Sequence, residues 1–512
     1  MLMLLASPGV ADATGGVQQI VAASQPATSA SPGLLEAARV SGKPPVDLES
    51  AKTSRAFVTV APVLGRLVLG EVALDDADRL GLRVHQGQVQ VHIRTDPKHF
   101  DSLVAWLEER GATAISTAFD IVQANVDLEL LGQLDTHPDV RRVERPAYAQ
   151  TPPQPSPEAA RISKTYTGTY TSEALSALNA PAWHSQGHTG TGVKVGVIDS
   201  GYGTPDGAQY SQLYGTDLPP QDRVHLNAFG SFGGQNPYLL SAHGLGCAEV
   251  ITDVAPGVEL YLVSYGGTVV DLSNSEQWLR QNGVDIISVS QNWQGWGPGN
   301  GTGEAAAVAD RFVNAGGVWI NSAANSRKAH YQSSWNDPSD NDWHEFSTDG
   351  WEINPFVFFN QQSGQWEIFC ISQNLLNAND GSLALFGSLN WNQFGGTPTT
   401  NMQICVSEID NQGDFIQDVY CERGRGATAT LDFYYDIQTA GCYGLSVGLA
   451  DSQPTGNLQF EFFHRWDGDT MNWSTAAGSV HPPATAAGAI AVAALDAVTT
   501  ELEDYSSAGP LN

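Results

Sequence analysis

The sequence predicts an α/β domain built on a mostly parallel sheet, interrupted by an all-β sandwich and preceded by a small ferredoxin-like α+β unit. Three observations carry this. From Val193 to Ala324, apolar strand-like runs alternate with helical patterns, which implies parallel strands covered by helices. From about residue 344 to 475 the texture changes to short aromatic and β-branched runs separated by Gly, Asn, Asp and Pro, the pattern of a sandwich or barrel. From 86 to 148 two amphipathic helices are framed by three strands.

Residues 1–85 are rich in Ala, Ser and Pro clusters and read as a largely irregular leader. In the small unit, VQVHI alternates like a half-buried strand, and FDSLVAWLEERG is an amphipathic helix stopped at Gly111. DIVQANVDL is a second strand, LELLGQLDTHPDV a second helix, and VRRVERP a closing strand. Residues 149–175 are a linker by their Pro, Ser and Thr content. The first part of the α/β domain, 176–343, contains the strands VKVGVID, VELYLVSY, VDIISVS and GVWINSAA. Helices SNSEQWLRQNG and EAAAVADRFVNAG, and one after His243, alternate with them. The sandwich occupies 344–475, and GSVHPPATAAGAIAVAALD resumes the α/β texture over 476–512, so the β unit is inserted into that domain.

A chain of 512 residues requires several cores. Its formal charge of -31 makes nucleic acid and anionic membranes poor partners, and no apolar run is long enough to span a bilayer. The low charged content of 15% together with 53 Gly and 13 Trp suits an exported protein. The opening MLMLLASPGVADA has an apolar run and small residues at Ala11 and Ala13 but no basic region, which fits either a weak or incomplete export signal or a disordered N-terminus rich in Ala, Ser and Gly. Cys370, Cys405, Cys421 and Cys442 fall in the β-rich stretch, where they predict two disulfides with three possible connectivities. Cys247, one helical turn beyond His243, reads as a core residue.

The chemistry concentrates in three segments. GTGVKVGVIDSGYG ends an apolar strand on Asp199, at the carboxyl edge where open parallel sheets present ligand-binding groups. SAHGLGCAEVITDVAPG places His243 at the start of a helical pattern. WINSAANS brings a third strand to Asn325. A buried carboxylate that fixes a histidine tautomer, a histidine that moves a proton, and an amide aimed at an oxyanion are the parts of an acyl-transfer site. The order Asp, then His, then the amide resembles the subtilisin-like serine proteases over about Ala182–Asn336 and Gly478–Pro510.

That resemblance implies a three-layer α/β fold, serine endopeptidase activity on polypeptides, no required cofactor, a monomer, and secretion. It implies Asp199 and His243 as catalytic residues and Asn325 as the oxyanion donor. Ser288, Ser290 and Asn292, in VDIISVSQNW, are implied as substrate-binding residues. The 86–148 unit is similar to the family's inhibitory prodomain, with a maturation cut between Arg145 and Tyr166. Leu245 stands where the family has threonine, and Ala324 and Ser326 where it has glycines. DYSSAGP matches the segment before the family's Gly-Thr-Ser nucleophile, and no Gly-Thr-Ser follows Asn325. The chain therefore reads as a truncated precursor, inactive as it stands, with a pseudoprotease or a peptide- or carbohydrate-binding protein as the alternative. Trp351, Trp366 and Trp391 are the residues a carbohydrate surface would use. The acidic stretches at Asp337, Asp340 and Asp342 and at Asp467 and Asp469 lack EF-hand spacing, so structural calcium is left unassigned.

Overall fold

The computed structural model describes residues 57–149 and 171–509, apart from 76, 78–80, 173, 204–209, 296, 361, 380, 395–397, 425–428, 451–455, 466–469 and 497–498. Asp467, Asp469 and most of the expected leader and linker lie outside the described residues.

The small unit is a five-stranded antiparallel sheet with helices. It comprises α1 (Pro62–Val68), β1 (Val84–His85), β2 (Gln88–Arg94), α2 (Phe100–Glu108), β3 (Thr113–Ala118), β4 (Ile121–Val126), α3 (Leu128–Leu134) and β5 (Arg142–Glu144). Its sheet runs β1-β2-β4-β3, with β5 also on β2. Asp127 caps α3 by accepting the Leu130 N–H, which satisfies a donor that the first turn leaves open. Two expectations are corrected here. The stretch up to residue 85 is not irregular from residue 57 onward, because Val60, Leu64, Leu67 and Leu82 are buried in the core of this unit. An unforeseen strand, β3, forms a hairpin with β4, where the half-exposed TAISTA offers no clean alternation.

The α/β domain holds a six-stranded sheet in the order β22-β10-β9-β6-β8-β7, parallel at every pairing. Its strands are β6 (Lys194–Asp199), β7 (Val224–Phe229), β8 (Glu259–Tyr265), β9 (Ile286–Val289), β10 (Val318–Ser322) and β22 (Ala489–Val492). The covering helices are α4 (His243–Val254), α5 (Val269–Gln281) and α6 (Glu304–Asn314). Thr268 and Asp271 form a reciprocal capping box at the start of α5. Because the strands are parallel, the residues that follow β6, β9 and β10 all emerge at one edge of the sheet.

Between β10 and β22 the chain builds two antiparallel sheets. One runs β11 (His330–Ser334), β20 (Gln459–Arg465), β15 (Leu383–Trp391), β18 (Thr430–Ile437). The other runs β13 (Gln365–Ile368), β12 (Asn354–Asn360), β19 (Gly441–Leu449), β16 (Met402–Ile409), β17 (Phe415–Arg423), with β14 (Cys370–Ile371) on β19 and β21 (Thr470–Met471) on β12. Both sheets contribute to one apolar core that includes Leu385, Phe433 and Phe462 from the first and Phe356, Ile404 and Val447 from the second. β11 already pairs with β20, so this unit starts near His330 instead of residue 344. Cys370 is bonded to Cys442 and Cys405 to Cys421, each pair joining partnered strands.

Candidate active site

Asp199 ends β6 fully buried, and its carboxylate is held from several sides. Oδ2 lies 2.8 Å from His243 Nδ1. Oδ1 accepts the Ser200 N–H at 2.7 Å and the Gln291 side-chain amide at 3.2 Å. Gln291 follows β9, so the neighbouring strand fixes the carboxylate that orients the histidine. His243 opens α4, where its N–H donates to Ser241 Oγ at 3.1 Å. Gly244 explains the glycine after the histidine. A Cβ there would lie 2.6 Å from both Asp199 Cβ and the Gly201 carbonyl oxygen, so only glycine lets the helix start reach the strand end.

Burial acts to lower the His243 pKa, but the charge and hydrogen bond of Asp199 outweigh it and raise it above the ordinary imidazole value. Nε2, the atom opposite the carboxylate contact, is buried and has no hydrogen-bond partner among the described residues. A histidine arranged this way presents Nε2 as a proton acceptor while Nδ1–H donates to Asp199.

Leu245, in place of threonine, is buried in the core formed by Val195, Val197 and Leu260. Cys247 is buried too. Burial first and the Asp199 charge second push its thiol well above the ordinary range, while a hydrogen bond from Ser290 acts the other way. A thiol kept protonated is a poor nucleophile, and Asp199, His243 and Cys247 bring ligand atoms within 4.8 Å of one another.

Asn325 lies on the exposed loop after β10. Ala324 beside it adopts φ 83°, a left-handed conformation that suits the glycine expected there. The C-terminal segment packs on this loop. Ser507 N–H donates to the Ala324 carbonyl oxygen at 2.9 Å, and Ser326 N–H to Ser507 Oγ at 2.9 Å. His481 Nε2 lies 2.6 Å from Ser326 Oγ. Burial drives the His481 pKa down to about 3, and Nδ1 of the neutral ring accepts the Gly295 N–H at 3.4 Å, so Nε2 carries the proton and donates it to Ser326 Oγ.

Ser288, Ser290 and Asn292 lie along and after β9 with buried side chains. The Asn292 amide donates to Ser322 Oγ at 2.9 Å, and its oxygen accepts from Asn321 at 3.1 Å, which ties β9 to β10. Gln291 and the Gly266–Gly267 turn were not foreseen. Only the position of Gln291 at the end of an apolar strand signals its role. Gly266 and Gly267 follow β8, and the Gly267 carbonyl oxygen accepts the Ala149 N–H at 2.7 Å, so the tail of the small unit lies at the edge of this site. A cavity of about 730 Å³ runs between them, lined by Ser200, Ser241, Gln291 and Gly267 on one side and Arg83, Gln90 and Asn125 on the other.

The small unit is pinned here by specific contacts. Arg83 donates to the Gly266 carbonyl oxygen, and Arg94 pairs with Glu304 at the start of α6. The Gln123 amide donates to buried Asp271 at 2.9 Å, and Ile121 sits in the apolar core beneath α5 and α6. Burial raises the Asp271 pKa to about 6 against the hydrogen bonds from Gln123 and Thr268. Trp351 and Trp391 are buried in the core of the β unit, which removes them from any carbohydrate-binding surface, and Trp366 is partly buried. In the acidic loop, Asp337 accepts the N–H groups of Asn341 and Asp342.

Subtilisin E of Bacillus subtilis (strain 168) is 31% identical over 160 residues, 30% of this chain and 39% of that protein. Over this stretch the chain is similar to the subtilisins. The subtilisin of Bacillus pumilus is likewise 31% identical over 160 residues, 54% of its length. The match thus spans between about two-fifths and just over half of these relatives. Among solved structures, the CspB protease of Clostridium perfringens aligns with TM-score 0.36 and 12% identity over 65% of this chain and 75% of that chain. The epidermin leader peptide processing serine protease of Staphylococcus aureus aligns with TM-score 0.29 and 10% identity over 47% and 61%. No family model matches the chain.

Proposed function

We propose that this chain carries the acid–base and oxyanion parts of a serine-type endopeptidase acting on extended polypeptides. The observation that carries the reading is the 2.8 Å contact of His243 Nδ1 with fully buried Asp199, which leaves Nε2 to move a proton. In the reaction a serine hydroxyl attacks the peptide carbonyl and Nε2 takes its proton. The imidazolium, stabilised by Asp199, then protonates the leaving amine, and water releases the acyl group. Asn325 supplies an amide to the oxyanion, a contribution of about 3 to 4 kcal/mol in subtilisin itself. Ser288, Ser290 and Asn292 shape the strand along which peptide lies.

Residues 326–512 contain no Gly-Thr-Ser. In subtilisin the loss of that serine costs on the order of a millionfold in turnover, so these 512 residues alone are expected to bind peptide without cleaving it. The small unit acts as an inhibitory prodomain, a role supported by the pairing of its tail with Gly267. Export is supported by the two disulfides, and no helix among the described residues is long and apolar enough to cross a membrane. The protein is proposed to act as a monomer without a cofactor.

The test expresses the protein from its whole open reading frame. A serine-directed phosphonate should label it, and His243→Ala should reduce labelling by at least about 100-fold. Labelling indifferent to His243, or no labelling, would sink the acyl-transfer reading and leave peptide binding.

A further inference from the structure

The tail that runs from the small unit along the site, Arg145 to Ala149, is held by two different sets of residues. Tyr148 is held by the small unit itself. Its hydroxyl donates to Gln90 Oε1 at 2.9 Å, and the Arg83 guanidinium lies 3.9 Å from its ring centre. Arg145 is held by the β insertion instead. Its Nη2 lies 3.0 Å from Asp432 Oδ2, with both side chains largely shielded, at 19% and 28% exposure. Asp432 belongs to β18, an edge strand of its sheet. Residues two apart on a strand share a face, so Tyr434 lies on the same side as Asp432. Opposite Tyr434 across the β15 pairing stands Phe386, the rings stacked with centres 6.1 Å apart and planes 18° apart.

Asp432, Phe386 and Tyr434 thus form one wall of a cavity of about 340 Å³, whose other walls are the tail, Gln294 and residues 81–83 of the small unit. Gln294 follows the cleft strand β9 and donates to the His464 carbonyl oxygen at 2.9 Å, which ties the β insertion to the segment after that strand. A carboxylate beside stacked aromatic rings suits a guanidinium, which is planar, permanently charged and weakly hydrated.

We propose that the β insertion supplies a specificity subsite. Asp432, flanked by Phe386 and Tyr434, takes an arginine side chain of an extended peptide, and Arg145 of the chain's own tail fills it in cis. The inference rests on the reading of the cleft as a peptide-binding site. When the small unit leaves, the partners of Tyr148 leave with it, whereas the partners of Arg145 stay beside the cleft. The insertion then selects polypeptides that carry arginine upstream of the residues lying along Gly266 and Gly267.

The experiment uses the full chain with residues 145–149 replaced by Gly-Ser-Gly-Ser-Gly, so that the tail no longer fills the groove. A fluorescein-labelled peptide, Arg-Pro-Ala-Tyr-Ala, and its Ala-Pro-Ala-Tyr-Ala counterpart are titrated by fluorescence anisotropy. The arginine peptide should bind about tenfold tighter, and Asp432→Asn should abolish that preference. Asp432→Arg should reverse it toward Glu-Pro-Ala-Tyr-Ala, a gain that a misfolded variant cannot produce. Equal binding of the arginine and alanine peptides, or a preference unchanged by Asp432→Asn, overturns the subsite while leaving the cleft intact. Binding of neither peptide overturns the cleft reading and the subsite with it.

Discussion

Replacing His464 with leucine should leave the β insertion little changed at neutral pH and make it markedly more resistant to acid. The ring is fully buried on β20, packed edge-on to Phe356 with centres 5.0 Å apart, and neither ring nitrogen has a hydrogen-bond partner among the described residues. Burial lowers its pKa to about 3, against an ordinary value of 6.5. Between those values the unfolded chain binds a proton that the folded chain refuses, so stability rises with pH through this window and is level above it. At pH 4.5 the two-unit gap below 6.5 corresponds to a cost of roughly 3 kcal/mol, a large part of a typical domain's stability. Leucine removes the titrating group and two unsatisfied polar atoms while keeping a similar volume. Urea unfolding followed by tryptophan fluorescence, at pH 7.5 and pH 4.5, measures the difference directly. The variant should exceed the parent by roughly 3 kcal/mol more at pH 4.5 than at pH 7.5. An advantage that is the same at both pH values would refute the reasoning. His344 is lowered to about 3 by the same burial, so the parent should lose stability steeply below pH 6.

Other perturbations test the site. Ala324→Gly should stabilise the protein by about 1 kcal/mol, because alanine is held at φ 83°, and thermal denaturation would register the gain. Gly244→Ala should cost about 2 kcal/mol or more and separate His243 from Asp199, since the added Cβ falls 2.6 Å from Asp199 Cβ. The separation would show as a changed His243 imidazole signal. Cys247 should resist iodoacetamide in the native state and react only on unfolding, given its 1% exposure and raised pKa.

Asp199 and His243 were legible in the sequence because each sits at the border of a strongly patterned element. The apolar run of β6 ends on the carboxylate, and the helical period of α4 begins on the histidine. The pairing of the four clustered cysteines was not legible, since it depends on which strands become neighbours. β7 was missed for a physical reason. It is an edge strand whose residues after Val224 are only partly buried, so it lacks the apolar continuity of β6 and β8. The first turn of the small unit was missed because α1 is short and draws its stability from Leu64 and Leu67 packing against a distant sheet. The start of the β insertion was misplaced because His330–Ser334, a polar-rich run, is a strand only by virtue of its partner β20. Gln291 carries no distinctive pattern of its own. Its contact with Asp199 exists because β9 and β6 are neighbours in space, 92 positions apart in the chain.

The central claim is that Asp199 holds His243 as a proton acceptor, and the titration of the His243 ring by NMR tests it most directly. In the parent chain the midpoint should lie above 6.5, and Asp199→Asn should move it below 6.5, because burial would then act without the opposing carboxylate. A midpoint that is the same in both proteins would contradict the account.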